Sequence, residues 1–229
     1  MIQLVLAAAA FLLIHLCVSG TPLRDRLVAR LGEGAYLGLF SLASAGILVW
    51  LIVAHGAARV DPLNISWWGV TPATRHIQYV VILVAFLIAV PGLLARNPGT
   101  AGQANAMDDP ETVKGVLRIT RHPFLWGVGL WAAGHLMVNG DLASLILFGS
   151  LGVLGLGGAA SIDAKRRRIY AERWSTFEGR TSFIPFAAIL TGRQPFKPAE
   201  LAVPALIGLI VYTAVLFGHR FIAGVPALG

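Results

Sequence analysis

The sequence predicts an all-α, polytopic membrane helix bundle of about six transmembrane helices, with an amphipathic interfacial helix after the fifth. Three observations predict it. The chain is 56% hydrophobic and only 13% charged, against roughly 25% charge in average globular proteins, and its mean hydropathy is +0.74. Six apolar stretches each approach the roughly 20 residues that cross a bilayer. Lys and Arg gather in alternate connections between those stretches, as membrane topology requires. No internal repeat or low-complexity tract is evident, so residues 1–229 are read as one transmembrane domain.

The first span is Ile2–Ser19. No Lys or Arg precedes Arg24, so the stretch lacks the positive leader of a signal peptide and is expected to be retained. The second span is Ala35–His55 and the third His76–Ala95. The fourth, Pro123–Val138, is short. Asn139-Gly140-Asp141 makes a tight turn from it into the fifth, Leu142–Ala160, so these two form a helical hairpin. Leu201–Phe221 is the last span. The single cysteine, Cys17, excludes an intrachain disulfide.

Fifteen of the 18 Lys and Arg residues fall in the first, third and fifth loops. That asymmetry puts those loops in the cytoplasm and both termini in the periplasm. The expected location is a bacterial inner (cell) membrane, with the lipid bilayer as partner. The net charge of +7 is then explained by basic loops that meet anionic headgroups, and nucleic-acid binding is not called for. In the fifth loop, SIDAKRRRIYAERWSTFE offers apolar contacts at Ile162, Ile169, Trp174 and Phe177, while Lys165–Arg168 faces headgroups. Gly152, Gly155, Gly157 and Gly158 lie inside span five. No strand precedes them and no GK[ST] follows, so they are read as a packing face and not as a phosphate loop.

Polar residues inside spans are functional candidates. His55, His76 and His219 lie at predicted outer ends, where hydration alone accounts for an imidazole. His122 sits between Arg121 and Pro123 at the inner mouth of span four. Pro123 suits the first helical turn, which places Arg121 and His122 at a positive dipole end that favours an anion. His15 and His135 lie within apolar spans. A neutral imidazole there needs a hydrogen-bond partner, a proton task or a metal. His135 shares a helical face with Trp131 and Gly127. No HExxH, paired Cys or carboxylate cluster points to zinc. Several histidines with aromatic neighbours in an apolar setting suit a haem.

The stretches RITRHPFLWGVGLWAAGHLMVNGD, RTSFIPFAAILTGRQ and SGTPLRDRLVARLGEGAYLGLFSLAS occur in family order, and the chain resembles the NnrU family over essentially its whole length. That family includes the 15-cis-zeta-carotene isomerases, whose membrane-embedded haem b supports cis–trans isomerisation of a polyene. Its bacterial branch is associated with denitrification and nitric-oxide metabolism. The resemblance implies a haem b with His135 as axial ligand. The isomerases have another histidine just before the Ser-Gly that opens the first loop; His15 is the nearest match, four residues before Ser19. His55 and His76 also fall where isomerases have histidines. Where the isomerases have a cysteine three residues before the span-four histidine, this chain has Ala132.

Depth divides the candidates for the second ligand. His135 is about 20 Å above His122 along an ideal helix, and His15 is about 7 Å from the inner end of its span. Axial nitrogens on one iron are only about 4 Å apart. His135, His15 and His76 are the candidate metal ligands, with His55 a further choice for the second position. Arg121 and His122 are candidates to anchor a haem propionate. The function implied by resemblance is a haem-binding membrane protein that isomerises a lipophilic polyene or serves nitric-oxide metabolism. The alternative is a non-catalytic haem or nitric-oxide sensor or an electron-transfer partner. A second likeness links RHPFLWG and RTSFIPF to membrane methyltransferases that use S-adenosylmethionine. It lacks the acidic pair that family carries after span five: Asp163-Ala164-Lys165-Arg166 stands there, and a sulfonium beside that basic block is disfavoured.

Overall fold

The computed structural model describes residues 1–227. The architecture is an all-α membrane helix bundle. Among the described residues, the only β pairing is an isolated bridge between Ser66 and Asp141. Helix α1 (Ile2–Leu13) runs on as a π-helix (Ile14–Ser19). There follow α2 (Pro22–Leu31), α3 (Glu33–Ala58), α4 (Pro72–Leu94), α5 (Val116–Ile119), α6 (Pro123–Val138), α7 (Leu142–Arg180), α8 (Ala187–Leu190) and α9 (Ala202–Ala223).

Five helical segments among the described residues are long and apolar enough to cross a membrane: Ile2–Ser19, Glu33–Ala58, Pro72–Leu94, Leu142–Arg180 and Pro198–Ala223. The sixth apolar helix, α6, has 16 residues, about 24 Å of rise, somewhat short of a hydrocarbon core of about 30 Å. The polarity of the surface is inverted relative to a water-soluble protein. Leu42 is 73% exposed and Val203 68%, whereas Asp163 is 2% exposed and Arg121 7%. Lipid solvates the former, and internal partners must satisfy the latter.

Contacts divide the chain into two compact units, each drawn from two stretches: Met1–Gln78 with Ala132–Lys165, and Tyr79–Trp131 with Arg166–Gly229. In the first, α1 packs on α3 through Leu4, Ala7, Ala8 and Phe11, one face at helical spacing. Gly20 passes so close to Ser161 that a Cβ would lie 2.1 Å from its hydroxyl. Helix α2 begins at Thr21, whose hydroxyl accepts from the Leu23 N–H at 3.3 Å, and stops at Gly32, where φ is +81°. These are ordinary start and stop signals. Helix α7 begins at Asp141, whose carboxylate accepts from the Ser144 N–H at 3.0 Å and its hydroxyl at 2.6 Å.

In the second unit, Gly92 meets Phe124 and Gly127 meets Ala85 and Ala89, with a Cβ at either position closer than 3 Å to a neighbour. The extension of α7 beyond its span changes direction at Ala171, where φ is 42°. Trp174 and Phe177 are buried there with Met107 and Val113, whereas Ile169 of the same run is 39% exposed. One expectation needs correction. Arg166 does not face headgroups: it is 7% exposed and its guanidinium donates to the Thr100 carbonyl at 2.8 Å. Of the glycines of α7, Gly152 makes a packing contact. Gly152 meets Ala132 at 3.6 Å, but nothing approaches Gly157 within 4 Å.

Candidate functional site

Helix α3 ends one turn after His55, and α6 ends one turn after His135. Phe148, in the second turn of α7, joins them. The His135 ring is stacked on Phe148 with centroids 4.7 Å apart and planes at 24°. The His55 ring meets the same phenyl edge-on at 6.2 Å and 67°. The His55 Nε2 is buried and has no hydrogen-bond partner among the described residues. A buried, unsatisfied imidazole nitrogen is costly, so its position marks a place where a ligand atom is wanted.

The α3–α4 connection pins this arrangement against the hairpin turn. Its Trp67 N–H donates to the Gly140 carbonyl at 3.0 Å, and the Ile65 carbonyl accepts from Leu142 at 2.9 Å. The Asn64 side-chain oxygen accepts from the Ala143 N–H at 2.8 Å. The Trp68 indole donates to the Leu136 carbonyl at 2.8 Å and lies flat on Gly140, where a Cβ would come within 2.3 Å of the ring. Gly140 is therefore glycine because an indole covers it. Asn139 closes α6 with its backbone and side-chain N–H groups, both donating to the His135 carbonyl. Burial alone would raise the Asp141 carboxyl, but hydrogen bonds from Ser144 and Asn64 outweigh it and hold the group below its ordinary value.

The other candidates are elsewhere. His15 Nδ1 donates to the Phe11 carbonyl at 2.7 Å, and its Nε2 accepts from the Ser44 hydroxyl at 3.3 Å. Its ring packs on Phe11 and Phe40 at 4.5 and 5.2 Å. Ser44 precedes His55 by eleven residues on α3, about 16 Å of rise, so His15 sits about three turns of α3 away from His55. His76 is exposed in the first turn of α4, with Nδ1 donating to the Pro72 carbonyl at 2.6 Å. Arg121 and His122 lie buried in the second unit. Arg121 bonds Glu178 at 3.0 Å, and the His122 ring packs on Phe183 at 5.5 Å. Among the described residues no cluster of three or more His, Cys, Asp or Glu is arranged to hold a metal ion.

A family model described as NnrU protein matches residues 3–227. The chain belongs to the NnrU family. It is 31% identical over 174 residues to the chloroplastic 15-cis-zeta-carotene isomerase of Arabidopsis thaliana, covering 75% of this chain and 46% of that protein. It is 30% identical over 167 residues to the chloroplastic 15-cis-zeta-carotene isomerase of Zea mays, covering 71% and 44%. The chain thus spans under half the length of these relatives. No solved structure matches.

Two residues of this NnrU chain escaped the sequence reading. Phe148 could have been found from the hairpin: across a three-residue turn, a side chain one to two turns into α7 falls opposite the last turns of α6. Glu178 lies beyond residues 163–166, where the methyltransferase likeness places an acidic pair. The main-chain bond from the Arg121 N–H to the Ser182 carbonyl at 2.9 Å ties the Arg-His-Pro stretch to RTSFIPF, and Glu178 lies four residues before that bond's acceptor.

Proposed function

We propose that this NnrU-family membrane protein binds haem b and isomerises a lipophilic polyene between cis and trans forms. Its iron is held by His135 with His55 as the second imidazole. The observation that carries the pairing is the buried, unpartnered His55 Nε2 beside the same phenyl ring on which His135 stacks. The donor set fits the group: two imidazoles with an aromatic neighbour in an apolar span are ordinary haem surroundings. His15 does not suit the second position, because both its nitrogens are engaged by Phe11 and Ser44. Arg121 is unsuited to a propionate, since Glu178 already accepts from it at 3.0 Å. The names of the relatives support isomerase chemistry. The charge asymmetry supports an orientation with the basic loops on the cytoplasmic side.

When bound, ferrous haem would supply electron density to a conjugated double bond and so lower its rotation barrier. The chain's own part is positional. Phe148 gives both imidazoles an apolar wall, and the Trp68–Gly140 contact fixes the end of the hairpin that carries His135. His55 and His135 would hold the group, and they meet Phe148 differently: His55 edge-on at 6.2 Å and His135 stacked at 4.7 Å.

The test is an optical spectrum of detergent-purified protein made with haem available. Wild type is expected to show a Soret band that His135→Ala abolishes. A cis-polyene of the zeta-carotene class is then converted by the reduced protein and not by the oxidised one. Protein without a band overturns the reading. A His135-dependent band without turnover retains the haem and removes the isomerase.

A further inference from the structure

A cavity of about 490 Å³ lies beside the C-terminal end of α7, with Arg121, Ser175, Glu178, Ser182, Phe183 and Arg193 among its walls. Its hydrogen-bonding groups are unequally used. The acceptors are taken. The Glu178 carboxylate receives Arg121 at 3.0 Å and Arg167 at 2.8 and 2.6 Å. The carbonyls of Gly179 and Thr181 receive the Arg193 Nη1 at 2.9 and 2.7 Å. The Ser182 carbonyl accepts the Arg121 N–H at 2.9 Å. The Phe183 carbonyl accepts the Thr120 hydroxyl at 2.7 Å and the Trp126 indole at 2.8 Å.

Several donors are not taken. Arg193 uses Nη1 on main-chain carbonyls and Nε on Thr191 at 3.1 Å, which leaves Nη2. Among the described residues, the Ser175 hydroxyl and the N–H groups of Ser182, Phe183 and Ile184 make no hydrogen bond within the chain. Charge points the same way. Arg193 has no carboxylate partner among the described residues; only the negative end of the α7 dipole offsets it in part. A wall with free donors, engaged acceptors and a guanidinium without a carboxylate partner matches a ligand that only accepts.

We propose that this cavity binds a phosphate-type oxyanion, held by Arg193, Ser175 and the consecutive N–H groups of Ser182–Ile184. Charge-assisted bonds to such an oxyanion are the strong kind. Ile184, 62% exposed, and Ala187 line the same wall with apolar surface of the sort an acyl chain covers. The same chemistry serves a phospholipid headgroup or a free phosphate. The proposal stands independently of the haem reading.

The test is phosphorus NMR of the full chain in a phosphate-free maltoside detergent, titrated in one arm with inorganic phosphate and in another with short-chain phosphatidic acid. Saturable broadening with either ligand is expected. Response to the lipid alone identifies a headgroup site, and response to both a phosphate site. Ser175→Asp puts a carboxylate on the wall without breaking any hydrogen bond, and should weaken binding tenfold or more with an unchanged melting temperature. Arg193→Gln should do the same where it folds; if loss of its carbonyl bonds prevents folding, Ser175→Asp decides alone. No saturable response in wild type, or undiminished binding in Ser175→Asp, overturns the proposal.

Discussion

Helix α3 carries two places where an imidazole lies in an apolar span, and they are built differently. Near its middle, Ser44 meets His15, both of whose nitrogens have partners. At its end, His55 keeps a buried Nε2 with no partner. The first is a satisfied structural histidine, held by a carbonyl, a hydroxyl and two phenyl rings. The second carries an unmet demand. Burial in lipid is therefore not by itself the mark of function. What separates the two is whether the hydrogen-bonding capacity of the ring is exhausted within the protein.

The sharpest way to break this comparison is to remove each imidazole while keeping its ring contacts. His55→Phe preserves the edge-on packing against Phe148 and deletes the nitrogen. It is expected to convert the haem spectrum from a six-coordinate to a five-coordinate form and to weaken haem retention at least tenfold. His15→Phe preserves the packing on Phe11 and Phe40 and should leave the spectrum unchanged. If instead His15→Phe changes the spectrum and His55→Phe does not, the assignment of the second ligand is reversed.

The next effect concerns what holds the His135 end in place. Gly140→Ala sets a methyl 2.3 Å from the Trp68 ring, so the indole must shift and its bond to the Leu136 carbonyl is lost. Overpacking of this kind costs about 1–3 kcal/mol. A lowered melting temperature with partial loss of haem is expected. An unchanged melting temperature would show that the α3–α4 connection does not brace the hairpin.

How much of this contrast the sequence could disclose follows from what one-dimensional patterns encode. Hydropathy reports span length, so the spans were legible; even the extension of α7 showed in the spacing of Trp174 and Phe177. Depth was legible too. Counting rises along ideal helices separates His15 from His135 and favours His55 or His76. Azimuth was not. Which face of α6 meets α7 depends on the Asn139–Asp141 turn and on an indole from a different loop, and no periodicity reports that. The glycines make the same point. Gly152, read as part of a packing face, does meet Ala132, yet the tighter approaches at Gly20, Gly92, Gly127 and Gly140 follow no sequence pattern. A small residue shows that approach is permitted and leaves open which neighbour arrives.

A smaller effect is expected at the helix start that places Phe148. The Asp141 carboxyl is held below its ordinary value, so its charged form is favoured by folding. The stability it contributes is complete above the unfolded value, about pH 4, and is lost as pH falls through the lower folded value. Asp141→Asn keeps a cap of similar rank but removes the titration. In melting curves from pH 6 to 3, the wild type should lose more stability than Asp141→Asn. Parallel curves would show that the cap carries no charge-dependent stability.

The smallest effect tests the satisfied side of the comparison. Ser44→Ala deletes the hydroxyl that donates to His15 Nε2 and returns that nitrogen to the condition of His55. One hydrogen bond is worth about 1 kcal/mol net, and a lowering of the melting temperature by a few degrees is expected. The spectrum should not change, because His15 remains on the Phe11 carbonyl and about three turns of α3 from His55. A second haem bound by Ser44→Ala would mean that an unpartnered imidazole is enough to recruit iron wherever it stands in these spans. A spectrum identical to wild type would show that the shared Phe148 setting of His55 and His135 is needed as well.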